Sequence, residues 1–235
     1  MRILGIDTAT SAASVALLEN EAIIADEIHP QPKAGHAEII LTLVEAVFAK
    51  ARASLADIDG IAVSIGPGSF TGLRIGLSTV KGLAYGGRVP VVGVSTLLAY
   101  AARASAFDGL ICAMLDARKK EVYASFFRGA SGSLTRLTED ALAPIHAIID
   151  QAQTLAAGGA TLFIGEGVKV YGSVVVNSLG SQARFCNADG YPSLAAAVAR
   201  IGKKRLLDSE GDFLGSMVPV YLRLSEAEMK RKELR

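Results

Sequence analysis

Residues 6–18, IDTATSAASVALL, and residues 115–127, LDARKKEVYASFF, follow one pattern. In each, an apolar stretch ends in an aspartate, Asp7 or Asp116, a short polar turn follows, and a second apolar stretch runs back. Repetition of one supersecondary unit within a chain points to two similar halves. Outward from the first copy, apolar runs predict strands at Met1–Asp7, Ala12–Glu19 and Glu21–His29, the last two joined at Glu19-Asn20. A helix over His36–Ala53 follows, because Ile39, Ile40, Leu43, Val44, Val47 and Phe48 recur at helical spacing opposite Glu38, Glu45 and Lys50. Gly60–Ile65 then reads as a strand, Thr71–Tyr85 as a helix, Val89–Val94 as a strand, and Ser95 as the cap of a further helix.

From the second copy, strands are expected at Leu110–Asp116, Glu121–Arg128 and Thr161–Ile164, and helices at Pro144–Ala156, Val168–Leu179 and Ser193–Leu207. The charged tail from Glu226 is expected to fray. Three strands before a helix, then alternating helix and strand, twice over, predict an α/β protein whose parallel strands are covered by helices. That is the layout of two ribonuclease-H-like lobes facing one another across a cleft. The expected division is a first lobe at 1–105, joined by the helix at 193–207, a smaller second lobe at 106–192, and a C-terminal segment at 208–235. No linker rich in Pro or Ser separates the halves, so they should pack closely.

Composition narrows the function. Hydrophobic residues make up 51% of 235 and charged residues 20%, which excludes wholesale disorder. A net charge of +1 gives no long-range pull on nucleic acid, so any RNA contact needs a local patch or a partner. Asp7 interrupts what would have to be an apolar signal segment, and the longest uncharged stretch, Gln151 to Gly165, contains Gln, Thr and Gly and is too short to span a membrane. Neither Cys112 nor Cys186 has a nearby second thiol or histidine at a zinc spacing in the sequence, which fits a reducing cytoplasm.

The sharpest local signal is the run Ile65-Gly66-Pro67-Gly68-Ser69-Phe70-Thr71-Gly72-Leu73-Arg74-Ile75-Gly76, set between a strand and a helix. A glycine-rich turn there exposes backbone N–H groups and can hold an anion; it also reads simply as a tight turn whose helix is capped by Ser69 or Thr71. It is neither a Walker loop nor a dinucleotide fingerprint. Gly72 and Gly76 share a helix face and admit a close neighbour, from this chain or another.

This run, with IDTAT at 6–10 and LDARKKEVY at 115–123, closely resembles the TsaB (YeaZ) family. The resemblance implies an actin-like fold and a non-catalytic role as partner of TsaD. With the ATPase TsaE, TsaD transfers threonylcarbamoyl to N6 of adenosine 37 in tRNAs reading ANN codons. Family motif residues are then Gly66, Pro67, Gly68, Ser69, Phe70, Thr71 and Arg74. A TsaD heterodimer is expected through Ile39, Ile40, Leu43, Val47, Gly72, Leu73, Gly76 and Leu77, with tRNA met indirectly and a homodimer open to the isolated chain.

The rival reading is an ATP-binding ATPase or phosphotransferase. Asp7, Thr8, Thr10 and Ser11 stand where actin-like ATPases place a first phosphate loop, and Asp7 suits Mg²⁺; the same groups also suit a plain hairpin turn. The second loop is unsuited, since Arg118, Lys119 and Lys120 follow Asp116, and only Gly165-Glu166-Gly167 is a candidate adenosine loop. ATP and Mg²⁺ are therefore expected weakly or at a subunit interface, with no resident cofactor. No metal site is expected either, because Ile40 follows His36 where a metal-binding helix would place a second histidine. Neither Ser69 nor either cysteine has an activating base in sequence, so no catalytic residue is assigned.

Overall fold

The structure is a computed structural model that describes residues 1–30, 35–186, 192–208 and 210–223, less the side chains of 35–38. The tail from Glu226 and the side chain of His36 lie outside the described residues.

In the first half, β1 (Arg2–Asp7), β2 (Ala13–Glu19) and β3 (Ala22–His29) form consecutive antiparallel pairs. Helix α1 (Gly35–Ala51) carries the chain to β4 (Gly60–Gly66), and α2 (Phe70–Gly87) carries it to β5 (Val91–Ser95). A helical crossover returns the chain in the same direction, so β4 lies parallel to both β1 and β5. The sheet order is β3-β2-β1-β4-β5. Ser95 caps α3 (Thr96–Arg103) by accepting the Leu98 N–H at 3.2 Å.

The second half repeats this order. β6 (Gly109–Asp116) and β7 (Glu121–Ala130) are the hairpin equivalent to β1–β2, and the free edge of β7 takes β8 (Ser133–Arg136) and β9 (Ala141–Pro144). After α4 (Ile145–Ala156), β10 (Thr161–Ile164) pairs parallel with β6; after α5 (Gly167–Leu179), β11 (Ala183–Phe185) pairs parallel with β10. β8 and β9 are thus one third strand, interrupted at 137–140, where Thr138 and Asp140 turn inward to bind Phe126 N–H and Ser95 Oγ.

Each sheet is buried on both faces. α1 and α2 cover the outer face of the first sheet, with Ile40, Val44, Val47, Leu77 and Val80 packed on Leu4, Val15 and Val63. α4 and α5 cover the second, around Phe126 and Phe163. Between the sheets lie α3 and α6 (Leu194–Leu207), where Leu97, Val198, Ile3, Ile111 and Phe127 share one core. Burying a side chain of phenylalanine size contributes about 2–3 kcal/mol, so this shared core ties the halves firmly. Two groups of the first half cap the start of α6: Asp26 accepts the Ser193 N–H at 2.9 Å and Ser14 Oγ accepts that of Ala195 at 3.2 Å.

Among the described residues, the β6–β7 turn holds three consecutive non-glycine residues in left-handed backbone. Arg118, Lys119 and Lys120 all adopt left-handed backbone, with φ of 61°, 53° and 62°. Each such residue with a side chain costs about 1 kcal/mol. Lys119→Gly is therefore expected to raise stability by about 1 kcal/mol in urea unfolding; an unchanged midpoint would show that the turn carries no strain.

Candidate functional site

The glycine-rich run and the β1–β2 turn were two separate signals in the sequence. The structure brings them together, and on the chain's own backbone. Thr8 Oγ1 donates to Gly72 O at 2.7 Å, and the Ser69 N–H donates to Ala9 O at 2.7 Å. A Cβ on Gly72 would stand 1.9 Å from Thr8 O, one on Gly76 2.3 Å from Thr8 Oγ1, and one on Gly68 2.3 Å from Ala9 O. Only glycine lets the first turns of α2 approach the loop this closely. Ser69 also caps α2, its Oγ accepting the Gly72 N–H at 3.2 Å.

Asp7 sits beneath this contact, 1% exposed. Its Oδ1 accepts the Ala9 N–H and its Oδ2 the Thr10 hydroxyl, each at 3.3 Å. Burial pushes its carboxyl up to about 6, against the opposing pull of Ser64, Ala9 and Thr10, and the nearby Glu166 charge adds to the rise. The Ser64 hydroxyl faces Asp7 but makes no full hydrogen bond of standard geometry. Tyr100 is buried in the same pocket; burial first, then the charges of Glu166 and Asp7, raise its phenol far above its ordinary range.

Glu166, from the turn before α5, closes the loop from the other half. The Ser11 N–H donates to both carboxylate oxygens at 3.2 Å, and Ser11 Oγ donates to Oε1. Glycines on either side permit this, since Gly165 and Gly167 lie against the Met114 carbonyl. Asp116, the second half's counterpart of Asp7, is exposed and accepts the Arg118 N–H at 2.8 Å and the Tyr171 hydroxyl at 3.0 Å.

The end of the described chain packs onto the motif. The Val220 N–H donates to Ile65 O at 2.7 Å, and Tyr221 stacks on Phe70 with centroids 4.5 Å apart. Arg74 lies 4.0 Å over Phe70 and donates to the Tyr221 hydroxyl at 2.9 Å. Two residues on, Arg223 donates to Ala117 O at 2.6 Å and to Glu121.

A family model described as "TsaD: tRNA N6-adenosine threonylcarbamoyltransferase" matches residues 17–231. The tRNA threonylcarbamoyladenosine biosynthesis protein TsaB of Bacillus subtilis is 30% identical over 98% of this chain and 97% of its own. That of Escherichia coli is 34% identical over 98% of both. The chain belongs to the TsaB family. YeaZ from Pseudomonas aeruginosa superposes with a TM-score of 0.76 at 28% identity, covering 94% of this chain and 99% of its own. Component A of the (R)-2-hydroxyglutaryl-CoA dehydratase of Acidaminococcus fermentans, at TM-score 0.54 and 12% identity, shares the fold alone.

Within a TsaB fold the expected partner-facing residues need correcting. Ile40, Leu43, Val47, Leu73 and Leu77 are buried, and Ile39 packs half-buried on the same core. Gly72 and Gly76 face Thr8 rather than a second subunit. The apolar stripe of each helix is spent on its own sheet. What α1 and α2 leave exposed is different: Leu41 at 52% and Tyr85 at 84%. Leu41 carried a signal, being an apolar residue off the buried stripe; Tyr85 carried none.

Thr8 and Ser11, two of the phosphate-loop candidates, are engaged by Gly72 and Glu166, and a phosphate on Ser11 would meet the Glu166 carboxylate. Glu166 of Gly165-Glu166-Gly167 makes that contact with Ser11. Among the described residues, no three His, Cys, Asp or Glu side chains converge as metal ligands. Among the described residues, no helix is long and apolar enough to cross a membrane.

Proposed function

We propose that this chain serves tRNA threonylcarbamoyladenosine biosynthesis in the cytoplasm as a non-catalytic partner of a TsaD-type transferase, together with the ATPase TsaE. The non-catalytic reading is carried by one observation: the hydroxyls and N–H groups that would bind phosphate in an active relative are spent within the chain, Thr8 on Gly72 and Ser11 on Glu166. The pathway is supported by TsaB relatives matched over nearly their full length. The chain holds no resident nucleotide; a calorimetric titration with MgATP that gives saturable heat would favour the phosphotransferase reading instead.

The docking face is the outward side of the α1–α2 pair, marked by Leu41 and Tyr85. Large exposed apolar side chains of this kind are what interfaces bury. The same face on two copies gives a homodimer when TsaD is absent.

The deciding experiment is reconstituted threonylcarbamoyl transfer with TsaD and TsaE. Transfer is expected with the full set, and neither with this chain omitted nor with this chain alone. Leu41→Arg and Tyr85→Ala are each expected to weaken TsaD binding about tenfold or more, without shifting the unfolding midpoint. Unchanged affinity in both variants would remove this face from the interface.

A further inference from the structure

We infer that the Arg118–Lys120 turn, with the aromatic and guanidinium groups beside it, is a direct contact for the sugar-phosphate backbone of RNA. The inference rests on the reading that the chain works within a tRNA-modifying complex.

Three observations support it. First, the residue choice runs against the backbone. A hairpin tip with left-handed φ at consecutive positions is ordinarily filled by Gly, Asn or Asp, yet here it holds three long bases. Strained backbone of this kind clusters where function requires it. Second, the bases have no internal use. All three side chains are exposed, and among the described residues none forms an ion pair, whereas Arg2, Lys50, Arg136, Lys203, Arg205 and Arg223 all do. The acidic residue following the turn, Glu121, is already paired by Arg223, so the positive field of the tip is not cancelled there.

Third, the turn continues into a band of alternating bases and rings. Arg223 is bound to Ala117 O; two residues before it, Tyr221 stacks on Phe70, and Arg74 lies over that ring. Tyr221 remains 39% exposed. Bases that follow a phosphate backbone, interleaved with aromatic faces on which nucleobases stack, are how proteins hold unpaired RNA. With a net charge of only +1, attraction to RNA has to come from such a local cluster.

The test uses the assembled complex with TsaD and TsaE, an unmodified tRNA transcript as probe, and salt from about 50 to 200 mM. One variant carries Arg118→Gln, Lys119→Gln and Lys120→Gln; a charge-matched control carries Arg52→Gln, Lys169→Gln and Lys204→Gln, all exposed elsewhere. The turn variant is expected to weaken transcript binding about tenfold and to lower the slope of log K against log salt by about 2, while the control changes affinity less than about twofold. Calorimetric binding to TsaD should be unchanged in both. An unaltered dissociation constant and slope in an intact complex overturns the proposal. Loss of TsaD binding in the turn variant alone also overturns it, and assigns the turn to an acidic protein surface. The same titration on the isolated chain separates the two levels. If the wild type fails to assemble yet binds transcript in a turn-dependent way, the RNA contact stands and the partner role falls; if the turn variant binds as wild type does, the contact falls.

Discussion

Gly72→Ala is expected to lower stability by about 3–4 kcal/mol, and Gly82→Ala, further along the same helix, to raise it by about 0.5–1 kcal/mol. At Gly72 the new methyl would stand 1.9 Å from Thr8 O. That oxygen is backbone, anchored by the strand before it, and cannot swing aside as a side chain could. Relief requires α2 to lift off the loop, which loses the 2.7 Å bond from Thr8 Oγ1 to Gly72 O and stretches the 2.7 Å bond from Ser69 N–H to Ala9 O. Overpacking alone costs about 1–3 kcal/mol and each lost hydrogen bond about 1 kcal/mol more. Gly82 meets nothing within 4 Å and is exposed, so there alanine only restricts the unfolded chain. Urea unfolding of both variants and of Thr8→Val, which removes the bond without the clash and should cost about 1 kcal/mol, decides it. A Gly72→Ala loss no larger than that of Thr8→Val would mean that the close approach is not what these glycines are for.

The same contact shows what could be read in sequence. The duplicated hairpins were legible because a strand buried on both faces is a continuous apolar run, and because Asp7 and Asp116 punctuate both copies. Thr161–Ile164 matched to the residue for that reason. The split strand β8–β9 was not legible: its segments are four residues each at a sheet edge, and the bonds from Thr138 and Asp140 that interrupt it depend on tertiary neighbours. β11, three residues with two exposed, offers no run at all. At the site, the glycine spacing announced a close approach but not its partner, since spacing carries no long-range information. Ser11 and Glu166 lie 155 residues apart, and a glutamate between two glycines read as easily for adenosine as for a latch. The α1–α2 residues were misplaced for a related reason: an amphipathic stripe marks what a helix buries, and here each helix buries it on its own sheet.

Asp7→Asn is expected to stabilise the protein by about 2–3 kcal/mol at about pH 7.5 and by nothing below about pH 4. Burial raises the Asp7 carboxyl from 3.8 to about 6, so the folded state holds a proton that the unfolded chain has already released. The stability linked to that proton is fully present below 3.8 and is lost as pH rises through about 6. At neutral pH the wild type therefore carries the whole cost of a desolvated charge, and a rise from 3.8 to about 6 corresponds to about 3 kcal/mol. Asparagine has the same shape: its Oδ1 can accept the Ala9 N–H, its Nδ2 can donate to the Thr10 hydroxyl, which still donates to Ala12 O, and it carries no charge to desolvate or to oppose Glu166. Urea midpoints measured from about pH 4 to about pH 7.5 should thus diverge between wild type and variant as pH rises from about 4 to about 6, and keep a steady gap above that. A constant difference, or a variant less stable at neutral pH, would show that the carboxylate meets a compensating positive group in solution. If the variant is stabilised and still supports full transfer in the TsaD complex, the aspartate is an inheritance of the fold. If it is stabilised and transfer falls, the charge is kept at a cost in stability because the assembled complex uses it.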